Sequence, residues 1–303
     1  MILYWILNNV PGGPLGPYLA NPHITPADIE RLRHNFGLDQ PLPVRYFRWL
    51  LALLHGELGY STSNSESVVT AITERIPATL LLAGTAFAIS LVIGITFGIV
   101  AAVKPYSWID YLITTFAFFG QSMPVFWFAL MMQLAFAVAG ITAFGYHFSL
   151  PSAGISSSDD FDLGDRLQHL ILPSLVLSLT YIAVWSRFTR SSMLEVMRTD
   201  YIRTAAAKGL DRVTIILRHG LKNAMIPVVT IVALSLPGLF SGAVVTEYIF
   251  SWPGMGRLFW NALGQFDFPL LMGYLVIVSF LVVFFNLLAD VAYAWLDPRV
   301  KYD

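Results

Sequence analysis

The chain contains 303 residues, of which 56% are hydrophobic and 12% charged, and its mean hydropathy is +0.65. Soluble globular domains carry about twice that charged fraction, so the composition indicates a membrane protein. A formal net charge of −1 gives no indication of nucleic-acid binding, and the lack of cysteine excludes disulfides, thiolate nucleophiles and cysteine metal sites. The six histidines show no metal-ligand spacing, and phosphate-binding and nucleophile-elbow motifs are absent. We therefore expect no catalytic residue, no bound cofactor and no metal in this chain.

The N-terminal part, residues 1–76, is expected to contain a residual first span and an extracytoplasmic region. Residues 1–10 are apolar, but about ten helical residues rise only about 15 Å, half of a hydrocarbon core. We interpret them as the end of a longer first helix whose beginning is missing from this chain; a helix lying in the membrane interface is the alternative. Residues 11–75 are rich in turn-forming and polar residues, and within them Thr25 is placed to cap a helix that begins at Pro26.

Residues 77–303 are expected to form the membrane domain, and the first complete span is predicted at residues 77–103. This stretch carries no charge until Lys104, and it is long enough to cross a bilayer with some tilt. Gly84, Gly94 and Gly98 supply small surfaces where another helix could pack closely, and Gly94 and Gly98 have the G-x-x-x-G spacing.

A second span is predicted at residues 110–140, with a break in its middle. Pro124 removes a backbone donor, and Gln121 and Ser122 place hydrogen-bonding groups at a depth where lipid offers no partner. This break either lines a substrate path or is a proline kink whose polar groups are satisfied by neighbouring helices.

Three further spans are predicted at residues 169–185, 226–245 and 269–295. Arg187 and Arg190 are expected to end the first of them. Glu247 stands at the far end of the second, where it is either a gate or path residue or a solvated charge. Between the spans, residues 141–168 are polar and acidic, and residues 251–268 are amphipathic and aromatic, as expected of segments on the outer side.

The distribution of lysine and arginine predicts the topology. Lys104, the block from Arg187 to Lys222, and the C-terminal Arg299 and Lys301 make one side much richer in positive charge, and that side is expected to be cytoplasmic. With a completed first helix the fold is an all-α polytopic membrane protein of about six transmembrane helices in the cytoplasmic (inner) membrane, with both termini in the cytoplasm. Residues 193–224 then form the longest cytoplasmic loop.

The sequence of this loop predicts two short helices joined by an elbow. Apolar and small residues recur every three or four positions, and basic residues occupy the opposite face. Gly209 interrupts the pattern, since it can adopt a left-handed conformation after Lys208, and Asp211 can cap the helix that follows. From this pattern the loop is either a docking surface for another protein or a basic segment lying on anionic lipid.

Several motifs occur in order along the chain. They are HLILPSL at 169–175, SRFTRSSMLEV at 186–196, DYIRTAAAKGL at 200–210, RHGLKNAMIPV at 218–228, GAVVTEYIFSWPGMG at 242–256 and DPRV at 297–300. With these motifs the chain resembles, over almost its full length, the B-type permease subunit of ABC importers for oligopeptides and dipeptides, which have the MetI-like permease fold. We name residues 193–224 the coupling loop, because the equivalent loop of that family sits in a groove on an ATPase subunit.

The resemblance implies a permease subunit of an ATP-driven importer that forms the translocation path for peptides and has no catalytic activity of its own. The implied partners are a second, C-type permease subunit, two ABC ATPase subunits that bind the ATP, an extracytoplasmic substrate-binding protein and membrane lipid. ATPase coupling is assigned to Arg203, Thr204, Ala205, Ala206, Ala207, Lys208, Gly209, Leu210, Asp211, Arg218 and His219. The translocation path is assigned to Gln121, Ser122, Pro124 and Glu247.

The coupling loop departs from the general motif of such permeases, E-A-A-x-x-x-G followed by I-x-L-P. With Gly209 as the anchor, Arg203 stands at the glutamate position and His219 at the isoleucine position. Thr204 and Ala205 stand at the two alanines. The resemblance implies that this variation is typical of the peptide branch of the family.

Two alternatives remain open at this point. An ion-coupled secondary transporter would need no ATPase, but it predicts paired intramembrane charges and an inverted repeat, and the sequence indicates neither. The second alternative keeps the ABC class and changes the cargo to nickel chelates, glutathione or oligosaccharides, because the external binding protein largely selects the cargo.

Overall fold

The computed structural model of the chain describes residues 2–9, 13–19, 23–138, 141–143, 146–158 and 160–296. Within these ranges the chain is almost entirely helical, as expected. The α-helices are α1 (Ile2–Asn9), α2 (Gly16–Leu19), α3 (Pro26–Asn35), α4 (Leu42–Leu54), α5 (Val68–Thr73), α6 (Ile76–Val103), α7 (Trp108–Ser122), α8 (Val125–Met132), α9 (Leu163–Val196), α10 (Asp200–Ala207), α11 (Arg212–Thr214), α12 (Lys222–Ile249), α13 (Met255–Gly264) and α14 (Phe268–Leu296). A 3-10 turn lies at Gly13–Leu15, π-helical turns lie at Gln133–Val138 and Ile215–Leu221, and β1 (Ile141–Ala143) pairs antiparallel with β2 (Tyr146–Phe148).

The described residues contain four helical segments that are long and apolar enough to cross a membrane. They are Val68–Val103, Leu163–Val196, Arg212–Leu239 and Phe268–Val291. The pair Trp108–Ser122 and Val125–Phe136 makes a fifth if it is one bent span. About six spans were expected, including a first one at the N-terminus, where helix α1 has eight residues and rises about 12 Å.

The break in the second predicted span is confirmed, and it is much larger than a proline kink. The helix axis bends by 106° between the two halves, and Pro124 is the N-cap residue of α8. Proline suits this position because the first residues of a helix need no intrahelical N–H partner.

The chain folds into two compact units. The first combines Met1–Pro77 with Gly254–Phe280, and the second combines Ala78–Pro253 with Leu281–Asp303. In the first unit Asp267 is 1% exposed and accepts hydrogen bonds from the hydroxyl of Ser61 and, at 3.1 Å, from the backbone N–H of Ser63. This carboxylate therefore joins the segment Gly254–Phe280 to the N-terminal region. The sequence did not indicate this long-range contact.

The cap predicted at Thr25 is also present in the first unit. The hydroxyl of Thr25 accepts a hydrogen bond from the N–H of Asp28 at 3.3 Å, and the Asp28 carboxylate accepts one from the Thr25 N–H at 3.2 Å. Hydrogen bonds from Thr25 hold the pKa of the Asp28 carboxyl below its usual range. Helix α3 begins at Pro26, as expected.

Helix α9 is the central helix of the second unit. It packs against α7, α8 and α12, and 61% of its most apolar stretch is buried, compared with 28–33% in the other three spanning segments. Leu172, Trp185 and Met193 are fully enclosed along its length. The other described spans therefore present more of their surface to lipid or to partner chains.

Helix α9 extends beyond both ends of the predicted span, residues 169–185. Helix α9 begins at Leu163, where Asp162 accepts a hydrogen bond from the N–H of Gly164 at 2.8 Å, and it continues through Arg187 and Arg190 to Val196. The two arginines do not end the helix, because Arg190 is neutralised. Its Nε and Nη2 donate to the two carboxylate oxygens of Asp110 on α7 at 2.6 and 2.7 Å.

Glycines allow α6 to approach α9 closely, as the G-x-x-x-G spacing predicted. A Cβ atom on Gly94 would lie 3.1 Å from the Cβ of Trp185, and one on Gly98 would lie 2.7 Å from the carbonyl oxygen of Ser186. At Gly84, by contrast, a Cβ atom would meet no atom of the described residues within 4 Å.

We expect Gly98→Ala to lower the thermal unfolding midpoint of the purified chain in detergent, because the added methyl group forces α6 away from α9. Overpacking of this kind costs about 1–3 kcal/mol. The matched control is Gly84→Ala, whose methyl group meets open space and whose helix propensity improves. Equal shifts in the two variants would show that the close contact at Gly98 does not stabilise the fold.

Candidate functional site

The coupling loop has the helix, elbow and helix order that its sequence predicted. Helix α10 ends at Ala207, and Gly209 has a φ angle of +80°, in the left-handed region. The N–H of Gly209 donates to the carbonyl of Ala206 at 3.0 Å, which closes the helix end. Any side chain at position 209 would strain this backbone.

Asp211 caps the second helix, as predicted. Its carboxylate accepts a hydrogen bond from the N–H of Thr214 at 2.9 Å. Hydrogen bonds from Thr214 hold the pKa of the exposed Asp211 carboxyl below its usual range. The carboxylate is therefore charged at neutral pH and sets the direction in which the chain leaves the elbow.

The second helix of the loop was expected to be short, and this expectation was wrong. From Arg212 the chain continues through the π-helical turn Ile215–Leu221 directly into α12, which ends at Ile249. Gly220 does not end the helix, because it is buried with its Cα beside Met197, where an added Cβ would lie 3.0 Å from the sulfur. A continuous helical segment thus joins the elbow to Ile249 at the end of α12.

The inner face of the loop is a small apolar core. Ile202, Ala205 and Ile215 are buried together, and Met197 packs against them. Ala205 was predicted to offer a small surface to a partner, but its side chain faces this core. The exposed small residues beside the elbow are Ala206, Ala207 and Gly209.

Two hydrogen bonds tie the loop to the spans on either side of it. The guanidinium of Arg212 donates to the carbonyl of Val103 at the end of α6, at 3.1 Å. The hydroxyl of Ser192 on α9 donates to the carbonyl of Ala224 on α12, at 2.7 Å. Displacement of the loop would therefore pull on three spans.

The outer face of the loop combines positive charge with exposed apolar side chains. Its exposed residues include Tyr201, Arg203, Thr204, Ala206, Ala207, Lys208, Leu210, Asp211, Arg212, Val213, Leu217, Arg218 and Lys222, while His219 is half-buried. Val213 is 62% exposed, Leu217 54% and Leu210 40%. Exposed apolar side chains surrounded by basic ones are typical of a surface that contacts another molecule, and they are complementary to an apolar groove with an acidic rim.

Val213 and Leu217 were not among the predicted site residues. The helical periodicity placed both on the apolar stripe of the loop. The π-helical turn Ile215–Leu221 changes the number of residues per turn, so it shifts Leu217 relative to a regular helix, while Val213 lies before the turn. Their sequence signal was that two apolar residues, four positions apart, closely follow the elbow at Gly209.

The four predicted path residues do not share one surface. The side chains of Gln121, Ser122 and Pro124 are exposed at the break between α7 and α8. Glu247 is fully buried, and its carboxylate accepts a hydrogen bond from the hydroxyl of Thr79 at 2.7 Å. The alternative that Glu247 is a solvated charge is therefore wrong.

Hydrogen bonds around Glu247 hold the first turn of α6 and the last turn of α12 together in the second unit. The indole N–H of Trp252 donates to the carbonyl of Ala78 at 2.8 Å, and its backbone N–H donates to the carbonyl of Glu247 at 2.8 Å. The side-chain amide of Gln133 donates to the carbonyl of Ile249 at 3.1 Å. Glu247 is thus part of a closed, hydrogen-bonded region in this structure.

Fold and site together define a polytopic, all-α membrane protein with an exposed basic loop between two spans. Residues 94–302 match the family described as "Binding-protein-dependent transport system inner membrane component", and residues 1–83 match the N-terminal domain of such membrane components. The chain belongs to this family. It is therefore a multi-pass membrane component of a binding-protein-dependent transport system and not an enzyme.

Curated relatives match along the whole chain. The oligopeptide transport system permease protein AppB of Bacillus subtilis is 40% identical over 304 residues, which cover 100% of this chain and 94% of the relative. The dipeptide transport system permease protein DppB of Alkalihalophilus pseudofirmus is 38% identical over 314 residues, which cover 100% of this chain and 94% of the relative.

Solved structures share the fold. An inward-facing structure of the MetNI methionine ABC transporter has a TM-score of 0.60 and 16% identity, covering 76% of this chain and 97% of the other. An amino acid ABC transporter has a TM-score of 0.55 and 11% identity, covering 74% and 94%. The MetI-like fold inferred from the sequence motifs is confirmed.

We expect Asp211→Ala to speed amide hydrogen exchange at Thr214 and its neighbours, because the cap that accepts the Thr214 N–H is lost. The control is Asp200→Ala, which removes an exposed acid of α10 that pairs with Arg203 at 3.4 Å and caps no helix. Similar exchange at Thr214 in both variants would contradict the capping role.

The capping role of Asp211 also predicts how the exchange protection of Thr214 depends on pH. Because the pKa of Asp211 is lowered in the folded protein, its stabilisation is present above the unfolded value of about 3.9 and is lost as the pH falls through the lower folded value. Exchange protection of Thr214 relative to Asp211→Ala should therefore stay constant between about pH 5 and 8.

Proposed function

We propose that this chain is the permease subunit of an ATP-driven ABC importer and forms the translocation path for peptides. The observation that carries the proposal is the coupling loop, whose basic and apolar outer face surrounds an elbow at Gly209 and continues without a break into α12. Relatives named as oligopeptide and dipeptide permeases, at 40% and 38% identity, support peptides as the cargo.

The coupling loop docks into a groove on an ATPase subunit. Val213, Leu217 and Leu210 enter the apolar part of the groove, and the surrounding lysine and arginine side chains pair with its acidic rim. The eleven residues assigned to coupling from the sequence run from Arg203 to His219 and lie on or directly beneath this face. The family resemblance suggests the partner, and the exposure of these side chains supports the contact.

The transport cycle follows from the rigidity of the loop. ATP binding closes the two ATPase subunits on each other, and each carries its coupling loop with it. Since the loop is hydrogen-bonded to α6 and α9 and continuous with α12, its displacement moves these helices as a group and alternates access to a central path.

The assembly contains this chain, a C-type permease partner, two ATPases that bind the ATP and an extracytoplasmic substrate-binding protein. It lies in the cytoplasmic membrane with both termini of the complete permease inside. Residues 1–76 then serve as the N-terminal part with its extracytoplasmic region, and residues 77–303 as the permease domain. Lipid surrounds the exposed apolar faces of the spans.

One observation bears on the ion-coupled alternative, namely an ion pair between two membrane helices, but the geometry of this pair does not favour an ion-coupled carrier. The sequence indicated no paired intramembrane charges, yet Asp110 and Arg190 do form a pair between α7 and α9. Asp110 also accepts hydrogen bonds from the N–H of Tyr106 and the hydroxyl of Thr114, so the pair is a fixed structural link. A carrier that releases an ion at each cycle needs a pair that opens.

A different cargo within the ABC class is the second alternative. Nickel chelates, glutathione and oligosaccharides would use the same loop and the same spans. The ligand that stimulates ATP hydrolysis by the assembled transporter separates these cargoes from peptides.

We expect Gly209→Val to abolish ATP-driven uptake of trialanine by the assembled transporter while the chain still inserts in the membrane. A β-branched residue is strongly strained at a φ angle of +80°, so the elbow must open and the docking face is lost. Uptake into proteoliposomes and ATP hydrolysis stimulated by the binding protein are the measurements.

The matched control is Gly56→Val. Gly56 has a φ angle of +81° in the extracytoplasmic region, and a Cβ atom added there would meet no atom of the described part of the chain within 4 Å, as is also true at Gly209. The control should suffer a similar local strain and keep its uptake. Normal uptake by Gly209→Val, or transport by the permease chain alone under an ion gradient, would contradict the proposal.

A further inference from the structure

A second arginine lies inside the span formed by α9, one turn before the Asp110–Arg190 pair. The helix continues from Arg187 to Val196, so Arg187 does not stand at the helix end. Its guanidinium lies over the ring of Phe118 on α7, with 5.5 Å between the Cζ atom and the ring centroid.

Arg187 precedes Arg190 by three residues, which corresponds to about 4.5 Å of helix. Its guanidinium lies beside Phe118, which follows Asp110 by eight residues on α7. Within a span, charged groups face a protein-lined or water-filled space.

The charge of Arg187 is not neutralised within the described part of the chain. Arg190 has the Asp110 carboxylate, whereas the contact described for the Arg187 guanidinium is the face of the Phe118 ring. The side chain is partly exposed. A guanidinium has five N–H donors, and it binds a carboxylate through two parallel hydrogen bonds when one is within reach.

The face of α7 that carries Phe118 also carries exposed polar side chains. Gln121 and Ser122 follow Phe118 by three and four residues on α7, so the three side chains share one helix face, and all three are exposed. The opposite face of α7 packs against α9, where a Cβ on Gly120 would lie 3.1 Å from the Leu179 side chain. The face with Gln121 and Ser122 ends at the 106° break.

We propose that Arg187, held by the Phe118 ring on the helix face that also carries Gln121 and Ser122, binds a carboxylate of the transported ligand as it passes the break between α7 and α8. For a peptide this group is the C-terminal carboxylate. The guanidinium supplies the charge, and Gln121 and Ser122 supply further hydrogen bonds. This inference rests on the proposed peptide import.

Uptake of trialanine by the complete transporter in proteoliposomes tests the proposal. Arg187→Gln should lower the initial rate at saturating binding protein by about 10-fold or more, because a charge-assisted hydrogen bond is lost. Arg187→Lys keeps the charge and should retain most of the rate. Basal ATP hydrolysis and copurification of the other subunits should not change.

The matched control is Arg166→Gln. Arg166 lies near the other end of α9, with its guanidinium 4.5 Å from the centroid of the Phe161 ring, so this variant removes the same charge and the same kind of ring contact. Its uptake should equal that of the unmodified transporter.

Photolabelling locates the carboxylate directly. A tripeptide with a diazirine leucine as its C-terminal residue should label residues 118–122 or 184–190 of the transporter trapped during turnover. Arg187→Gln should lose this label and keep labels elsewhere.

The outcomes distinguish a failure of the proposed peptide import from a failure of the carboxylate site. If the unmodified transporter does not import trialanine, the proposed function fails. If it does, and Arg187→Gln imports at the same rate or keeps the same labels, the carboxylate site is overturned. Loss of the C-type partner from Arg187→Gln, with retention in Arg187→Lys, would assign the guanidinium to a carboxylate of that subunit and would also overturn the site.

Discussion

The ion pair of Asp110 with Arg190 is the interaction on which the arrangement of the membrane helices depends. Both guanidinium hydrogen bonds are short, at 2.6 and 2.7 Å, and the Asp110 side chain is 2% exposed. Loss of one partner of such a buried pair costs about 3–5 kcal/mol, because the other charge is left uncompensated. The pair fixes the first turn of α7 against the inner part of α9, and it allows α9 to carry arginines well inside its length.

With α9 held in this way, the coupling loop has a rigid base. Its inner face packs on Met197 just after the end of α9, and hydrogen bonds from Ser192 and Arg212 join it to α12 and α6. The loop has flexible geometry at one position, Gly209, and the Asp211 cap fixes the direction beyond it. The loop is thus joined to α6, α9 and α12 by hydrogen bonds and by the continuous chain.

Local features of this chain were readable from its sequence because short-range chemistry determines them. The elbow at Gly209, the caps at Thr25 and Asp211, the close packing at Gly98 and the break at Pro124 each depend on a few neighbouring residues. Long-range partners were not readable. A partner far along the chain has no local signal, which is why the pairing of Arg190 with Asp110 and the enclosure of Glu247 were missed. The π-helical turn at Ile215–Leu221 likewise has no simple sequence signal.

The central claim is that the outer face of the coupling loop contacts an ATPase subunit. Because the chain lacks cysteine, Val213→Cys provides a single attachment point on this chain for a benzophenone maleimide, which is attached before the transporter is assembled. We expect an adduct of permease and ATPase after illumination, and none from Leu54→Cys, which carries the probe at an exposed position outside the coupling loop. Labelling of lipid without an ATPase adduct at Val213 would contradict the account and favour a loop that lies on the membrane surface.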